Sequence, residues 1–90
     1  VTLATSPDER VADVRFDAER LIVDLADGRA MASPLAWYPG LLDATPAQRA
    51  NWTKAGGGFG IHWPDVDEDL SVAGLLRGKP AAEARRHPAS

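Results

Sequence analysis

The first third of the chain alternates. Ala12, Val14 and Phe16 are separated by Asp13 and Arg15, the period of a strand with one face buried. Asp17 to Glu19 reads as a turn. Arg20 to Leu25 then resumes the alternation, with Leu21, Val23 and Leu25 on one face and Asp24 on the other. Asp27-Gly28 is a strong two-residue hairpin signal, because both central positions of a type I′ turn need positive φ. A third strand is predicted from Arg29 to about Ala32, pairing Leu25 with Ala30 and Val23 with Ala32. The expected unit is a three-stranded antiparallel meander. Its last strand is rich in small residues and leaves room for a helix to pack.

Beyond Ser33-Pro34 the pattern changes to short helical pieces. Pro39 is placed to open a brief helix through Leu41 and Leu42, since proline is tolerated at the first helical position. Thr45-Pro46-Ala47-Gln48 is a stronger start: Thr45 caps, Pro46 is preset for the first turn, and Gln48 completes a capping box. That helix is expected to run to about Ala55, where Gly56 to Gly58 stops it. Phe59 to Trp63 reads as one short strand, limited by Pro64. Ser71 caps a last helix through Arg77, ended by Gly78. The predicted fold class is α+β, with the meander, one further short strand and two to three short helices. Residues 1–10 are expected to be a flexible lead-in, 11–78 a single domain, and 79–90 a frayed, disordered tail rich in Ala, Arg and Pro.

Composition narrows the functional classes. Ninety residues allow one small domain, which buries only ~60% of its unfolded surface and gains from a partner or a second copy of itself. There is no cysteine, hence no disulfide framework, thiolate nucleophile or zinc-cysteine cluster. No apolar run is long enough to span a bilayer, and no signal-peptide pattern opens the chain. A cytoplasmic protein without a membrane partner is expected. The net charge of −3 argues against nucleic-acid binding by this domain alone, because that affinity rests on neutralising phosphates with Lys and Arg.

The candidate chemistry is concentrated between Gly60 and Ser71. Asp65, Asp67, Glu68 and Asp69 place four carboxylates within five residues. Such a group can serve a hard cation, and with His62 the set His62, Asp65, Asp67 and Asp69 forms a mixed ligand set for a transition metal. The spacing fits no EF-hand loop. Charge stabilised by the dipole of a following helix explains the same acids without a ligand. A compact acidic surface that steers a basic partner is the intermediate reading. His62 alternates with Ile61 and Trp63, so it should face solvent or a neighbour, and a surface histidine or a hydrogen bond to the acidic segment is expected rather than a general base. It lacks a nucleophile at recognisable spacing, and Ser71 serves better as a cap. Trp37, Trp52 and Trp63 fall in three different elements and are expected to fill the core. Trp37-Tyr38, beside a proline, is the best candidate for an exposed anchor. Gly56-Gly57-Gly58-Phe59-Gly60 is not a phosphate loop, for no Lys-Ser/Thr follows and the next residues look like a strand. It reads as a flexible connection.

Asp27-Gly28-Arg29, Pro34-Leu35-Ala36-Trp37-Tyr38-Pro39, Ala44-Thr45-Pro46-Ala47-Gln48-Arg49, Gly60-Ile61-His62-Trp63-Pro64, Asp67-Glu68-Asp69 and Leu75-Leu76 occur together and in order. In this the chain, from about Val11 to Gly78, resembles the bacterial domain-of-unknown-function family 2442. The resemblance implies a compact α+β domain with a small antiparallel sheet. It also implies a gene neighbour from a second small uncharacterised family (number 4160), in an arrangement like that of toxin–antitoxin pairs. Some relatives carry an additional helix-turn-helix domain, a pattern not present in these residues. The resemblance supplies no catalytic residues and no cofactor.

The expectation is a non-enzymatic interaction or regulatory module, antitoxin-like, with a small protein partner encoded nearby. Its expected contact surface is Trp37, Tyr38, Trp63, Asp65, Asp67, Glu68 and Asp69. The alternative is a small metal-binding enzyme or sensor built on His62 and the acidic cluster.

Overall fold

A computed structural model describes residues 6–78; the first five residues of the lead-in and the expected tail lie outside them. Strands β1 (Val11–Phe16), β2 (Arg20–Leu25) and β3 (Ala30–Pro34) form the predicted antiparallel meander in the order β1-β2-β3. In β2 the alternation holds, with Leu21, Val23 and Leu25 buried and Arg20 exposed. In β1 it breaks. The register jumps between Val11, opposite Leu25, and Asp13, opposite Asp24. Ala12 is therefore an extra residue in a β-bulge; Val11 takes the core position and Ala12 is exposed.

The hairpin turn also differs from a two-residue type I′ turn. Gly28 donates to the Leu25 carbonyl (3.1 Å), and Leu25 donates to Arg29 (2.8 Å). Gly28 has φ 97° and Asp27 is not left-handed, so this is a three-residue loop, a type I turn followed by a glycine bulge. The extra residue moves the register by one: Val23 faces Met31 and Ile22 faces Ala32. Asp27 supports the turn. Its carboxylate accepts from the backbone of Asp8 (2.9 Å) and Arg29 (3.1 Å) and from the Arg29 guanidinium. With Ala26 donating to the Arg10 carbonyl (2.8 Å), residues Asp8 to Arg10 are tied to this turn rather than forming part of a loose lead-in.

After β3 the chain makes a 3-10 turn at Leu35–Trp37 and enters helix α1 (Pro39–Leu42), with Pro39 in its first turn. Helix α2 (Pro46–Ala50) opens with the predicted capping box: Thr45 Oγ1 accepts from Gln48 N (3.1 Å) and Gln48 Oε1 from Thr45 N (2.9 Å). It stops at Ala50, five residues short of the expected end, because Thr53–Ala55 forms strand β4. Strand β5 (Gly60–Trp63) is the expected short strand, but it has companions. β4 and β6 (Glu68–Ser71) flank it in a second antiparallel sheet ordered β4-β5-β6. Ser71 then caps helix α3 (Val72–Leu76), accepting from Gly74 N at 2.9 Å.

The two sheets share one core. Val11, Val14, Leu21, Val23 and Leu25 of the first sheet, with Leu35, Tyr38 and Leu41, meet Ile61, Trp63, Val72 and Leu75. α3 lies against β3, where the small side chains leave space. Arg49 of α2 joins these parts. Its guanidinium donates to the Leu41 and Leu42 carbonyls (2.9 and 3.0 Å), closing the end of α1. It also stands 5.3 Å over the Phe16 ring. Its carbonyl accepts from Trp63 Nε1 (3.0 Å), and Trp63 meets Phe16 edge-on with centroids 6.4 Å apart. Among the described residues no helix is long and apolar enough to cross a membrane.

Candidate functional site

The acidic segment folds as the tip and return strand of a hairpin. In β5, Ile61 and Trp63 point inward (1% and 0% exposed) and His62 points out. The antiparallel register places His62 opposite Asp69 and Trp63 opposite Glu68. Alternation therefore splits the acids. Asp69 projects outward, while Glu68 is drawn under the sheet at 7% exposure. Pro64 to Asp67 make the connection, and Asp67 holds a left-handed φ of 52°, which aspartate tolerates better than most side chains. Val66 packs back onto the core, which fixes the tip from below.

Each exposed acid has a distinct setting. Asp69 Oδ1 lies 2.6 Å from His62 Nδ1, so of the two settings expected for His62 the structure contains the contact with the acidic segment. Asp65 Oδ2 accepts from Asn51 Nδ2 (2.9 Å), tying the tip to the end of α2. None of Asp65, Asp67 and Asp69 meets a lysine or arginine among the described residues. Four acids elsewhere are neutralised by arginine: Asp8 pairs with Arg10, Asp17 with Arg20, Asp24 with Arg15 and Asp27 with Arg29. All four carboxyls lie below their usual range, Asp8 at about 2. The arginine side chains are the main cause for Asp8, Asp24 and Asp27, and the Glu19 backbone N–H, followed by Arg20, for Asp17. For Asp8 the main cause is hydrogen bonding to the Arg10 side chain. Among the described residues Asp13, Glu19 and Asp43 also lack a lysine or arginine partner, but they lie singly, whereas Asp65, Asp67 and Asp69 stand close together on the β5–β6 hairpin.

Helix-dipole stabilisation of these acids is not what the structure contains. Glu68 and Asp69 lie in a strand, α3 begins only after Ser71, and its first turn has no acidic residue. The metal set is also divided. His62 and Asp69 pair, Asp65 engages Asn51, and no three His, Asp or Glu side chains gather as ligands among the described residues. Of the hydroxyls near the His62–Asp69 pair, Ser71 Oγ is engaged at the helix cap, and Thr53 of β4 stands opposite His62 in the sheet register.

Two of the expected anchors are core residues. Trp63 and Tyr38 have 0% exposure, and only Trp37 of the three aromatic candidates reaches the surface, half-buried. The Tyr38 hydroxyl is enclosed without a hydrogen bond of good geometry. Burial pushes its pKa above 10, the Ser33 hydroxyl pulls it back, and the Glu68 charge adds to the rise. Glu68 also approaches α1 closely: a Cβ on Gly40 would stand 3.0 Å from its Oε1. Glu68 therefore belongs to a buried polar group with Tyr38 and Ser33, not to the acidic surface. The role of Arg49 went unread in the sequence. An arginine in the last turn of a short helix was its one signal.

A model of a family of proteins of unknown function, DUF2442, matches residues 11–81. A crystal structure of a protein of unknown function from Rhodospirillum rubrum is similar at 38% identity and a TM-score of 0.69, covering 83% of this chain and 93% of that one. A solution structure of an uncharacterised protein from Chromobacterium violaceum shares the fold at 23% identity and a TM-score of 0.68, covering 81% of this chain and 69% of that one. Comparison with curated proteins gives no match. With the family model spanning the two sheets and α3, this chain belongs to the DUF2442 family.

Proposed function

We propose that the protein is a non-enzymatic interaction module that receives a small basic protein on the β5–β6 hairpin. One observation carries the reading. Asp65, Asp67 and Asp69 are exposed within five residues of one another on a hairpin held by Val66 and Asn51, without a lysine or arginine partner among the described residues. Fixed carboxylates without a lysine or arginine partner attract a cationic surface and orient it, and their contribution falls with salt. Trp37, half-buried, is the aromatic that remains available for contact. An antitoxin-like role in a two-protein system agrees with this surface and with the neighbour that the family resemblance implies.

The test is to co-express the chain with the product of the neighbouring gene and measure affinity at two salt concentrations. The triple change Asp65→Asn, Asp67→Asn, Asp69→Asn is expected to weaken binding by about tenfold or more and to flatten its salt dependence. Equal affinity and equal salt dependence in the triple variant would remove the acidic hairpin from the interface.

A further inference from the structure

On the side where β1 begins, the joint between the two sheets opens into a cleft of about 640 Å³. Its walls are the start of β1, the β2–β3 turn, β4, and the glycine turn that follows β4. The lining has two cations, Arg10 and Lys54, and no carboxylate, in a chain whose net charge is −3. Lys54 makes no ion pair among the described residues. Arg10 is held in place: Asp8, which does not line the cleft, accepts from its Nε (2.9 Å) and terminal nitrogen (2.6 Å) and offsets part of its charge.

The glycines shape the remaining wall. Gly56, Gly57 and Gly58 have φ of 58°, 70° and 99°, a run that side chains rarely adopt. At Gly58 a Cβ would stand 3.2 Å from the Arg10 stem, so the missing side chain is what seats Arg10. At Gly56 and Gly57 nothing lies within 4 Å of the Cβ position. Their backbone is bare toward open space, and a ligand can approach it without a side chain intervening.

The geometry points to a site for a small phosphate-bearing anion in this cleft. Lys54 supplies the uncompensated charge, Arg10 supplies a fixed guanidinium face, and the bare glycine backbone permits close approach. It is not a phosphate loop of the nucleotide-binding kind, because strand β5 follows the glycines instead of a helix. Two cations are also too few for a nucleic-acid backbone. The site is independent of the acidic hairpin.

Titration of the full 90-residue chain with inorganic pyrophosphate, followed by amide chemical shifts and matched in ionic strength with sodium chloride, tests it. Saturable shifts are expected at Gly56, Gly57 and Ala12. Lys54→Gln should weaken binding about tenfold, and Lys54→Arg should retain most of it. The Asp65→Asn, Asp67→Asn, Asp69→Asn variant should bind as the parent does, so this site and the protein interface fail or stand separately. Shifts that rise linearly and equal those from chloride would overturn the site, as would equal affinity in Lys54→Gln.

Discussion

At the scale of single residues, Tyr38 shows how a polar group is kept inside a small core. Its ring fills space beside Leu35 and Leu41 while its hydroxyl lacks a well-formed hydrogen bond. Removing an under-satisfied hydroxyl costs little, so Tyr38→Phe should change stability by about 1 kcal/mol or less. The same burial has a pH consequence. A phenol whose folded pKa lies above 10.0 contributes stability that is whole below that value and is lost as pH rises through the raised one. Because Tyr38 is the one tyrosine in the chain, ultraviolet titration reads it alone. Its midpoint should exceed 10, and alkaline loss of stability should be smaller in Tyr38→Phe; a midpoint at 10 with identical alkaline profiles would contradict the burial. The acid limb has the opposite sign. Asp8 and Asp27 are depressed below 3.8, so their support is present above that pH and is lost as pH falls through their lowered values, about 2 for Asp8. Asp27→Asn should lower the melting temperature at pH 7 and reduce its fall between pH 4 and pH 2. An unchanged fall would mean that Asp27 does not hold the turn.

At the scale of elements, legibility followed the range of the forces involved. The caps at Thr45 and Ser71 were readable because cap, first turn and partner lie within four residues. β2 was readable because both of its neighbours in the sheet are local hairpin partners. What escaped was set by pairing at longer range. Thr53–Ala55 reads as the end of a helix until Gly60–His62 is available beside it. Glu68–Ser71 reads as a helix lead-in until His62 and Trp63 meet Asp69 and Glu68. One missed residue of turn geometry at Gly28 moved the β2–β3 register, and the bulge at Ala12 exchanged its predicted place with Val11. The same split governs the site: the exposed half of the acidic segment could be seen in composition, but the inward turn of Glu68 required the β5–β6 register. Thr45→Ala should cost ~1 kcal/mol, seen as a lower denaturant midpoint at unchanged slope. No loss would show that Pro46 and the Arg49 contacts suffice to start α2.

At the scale of the molecule, the sheets are laid out in sequence as two blocks, 11–34 and 53–71, each made of neighbouring hairpins. Most pairing is therefore local, which favours fast folding, yet neither block has a core of its own. Leu21, Val23 and Leu25 need Ile61, Trp63, Val72 and Leu75 to complete their burial, and α3 returns to cover β3. The connection through Asp43 and Ala44 carries no sheet pairing. A chain cut there would become two complementary pieces. Each alone should lack fixed tertiary signals in near-ultraviolet circular dichroism, and equimolar mixing should restore them in proportion to concentration. If a piece acquired those signals unaided, the core would be divisible. If mixing restored nothing, the covalent connection would be essential. Reassembly would make this 90-residue fold a heterodimer whose two subunits happen to be joined end to end, and a natural reporter for whether two other proteins meet.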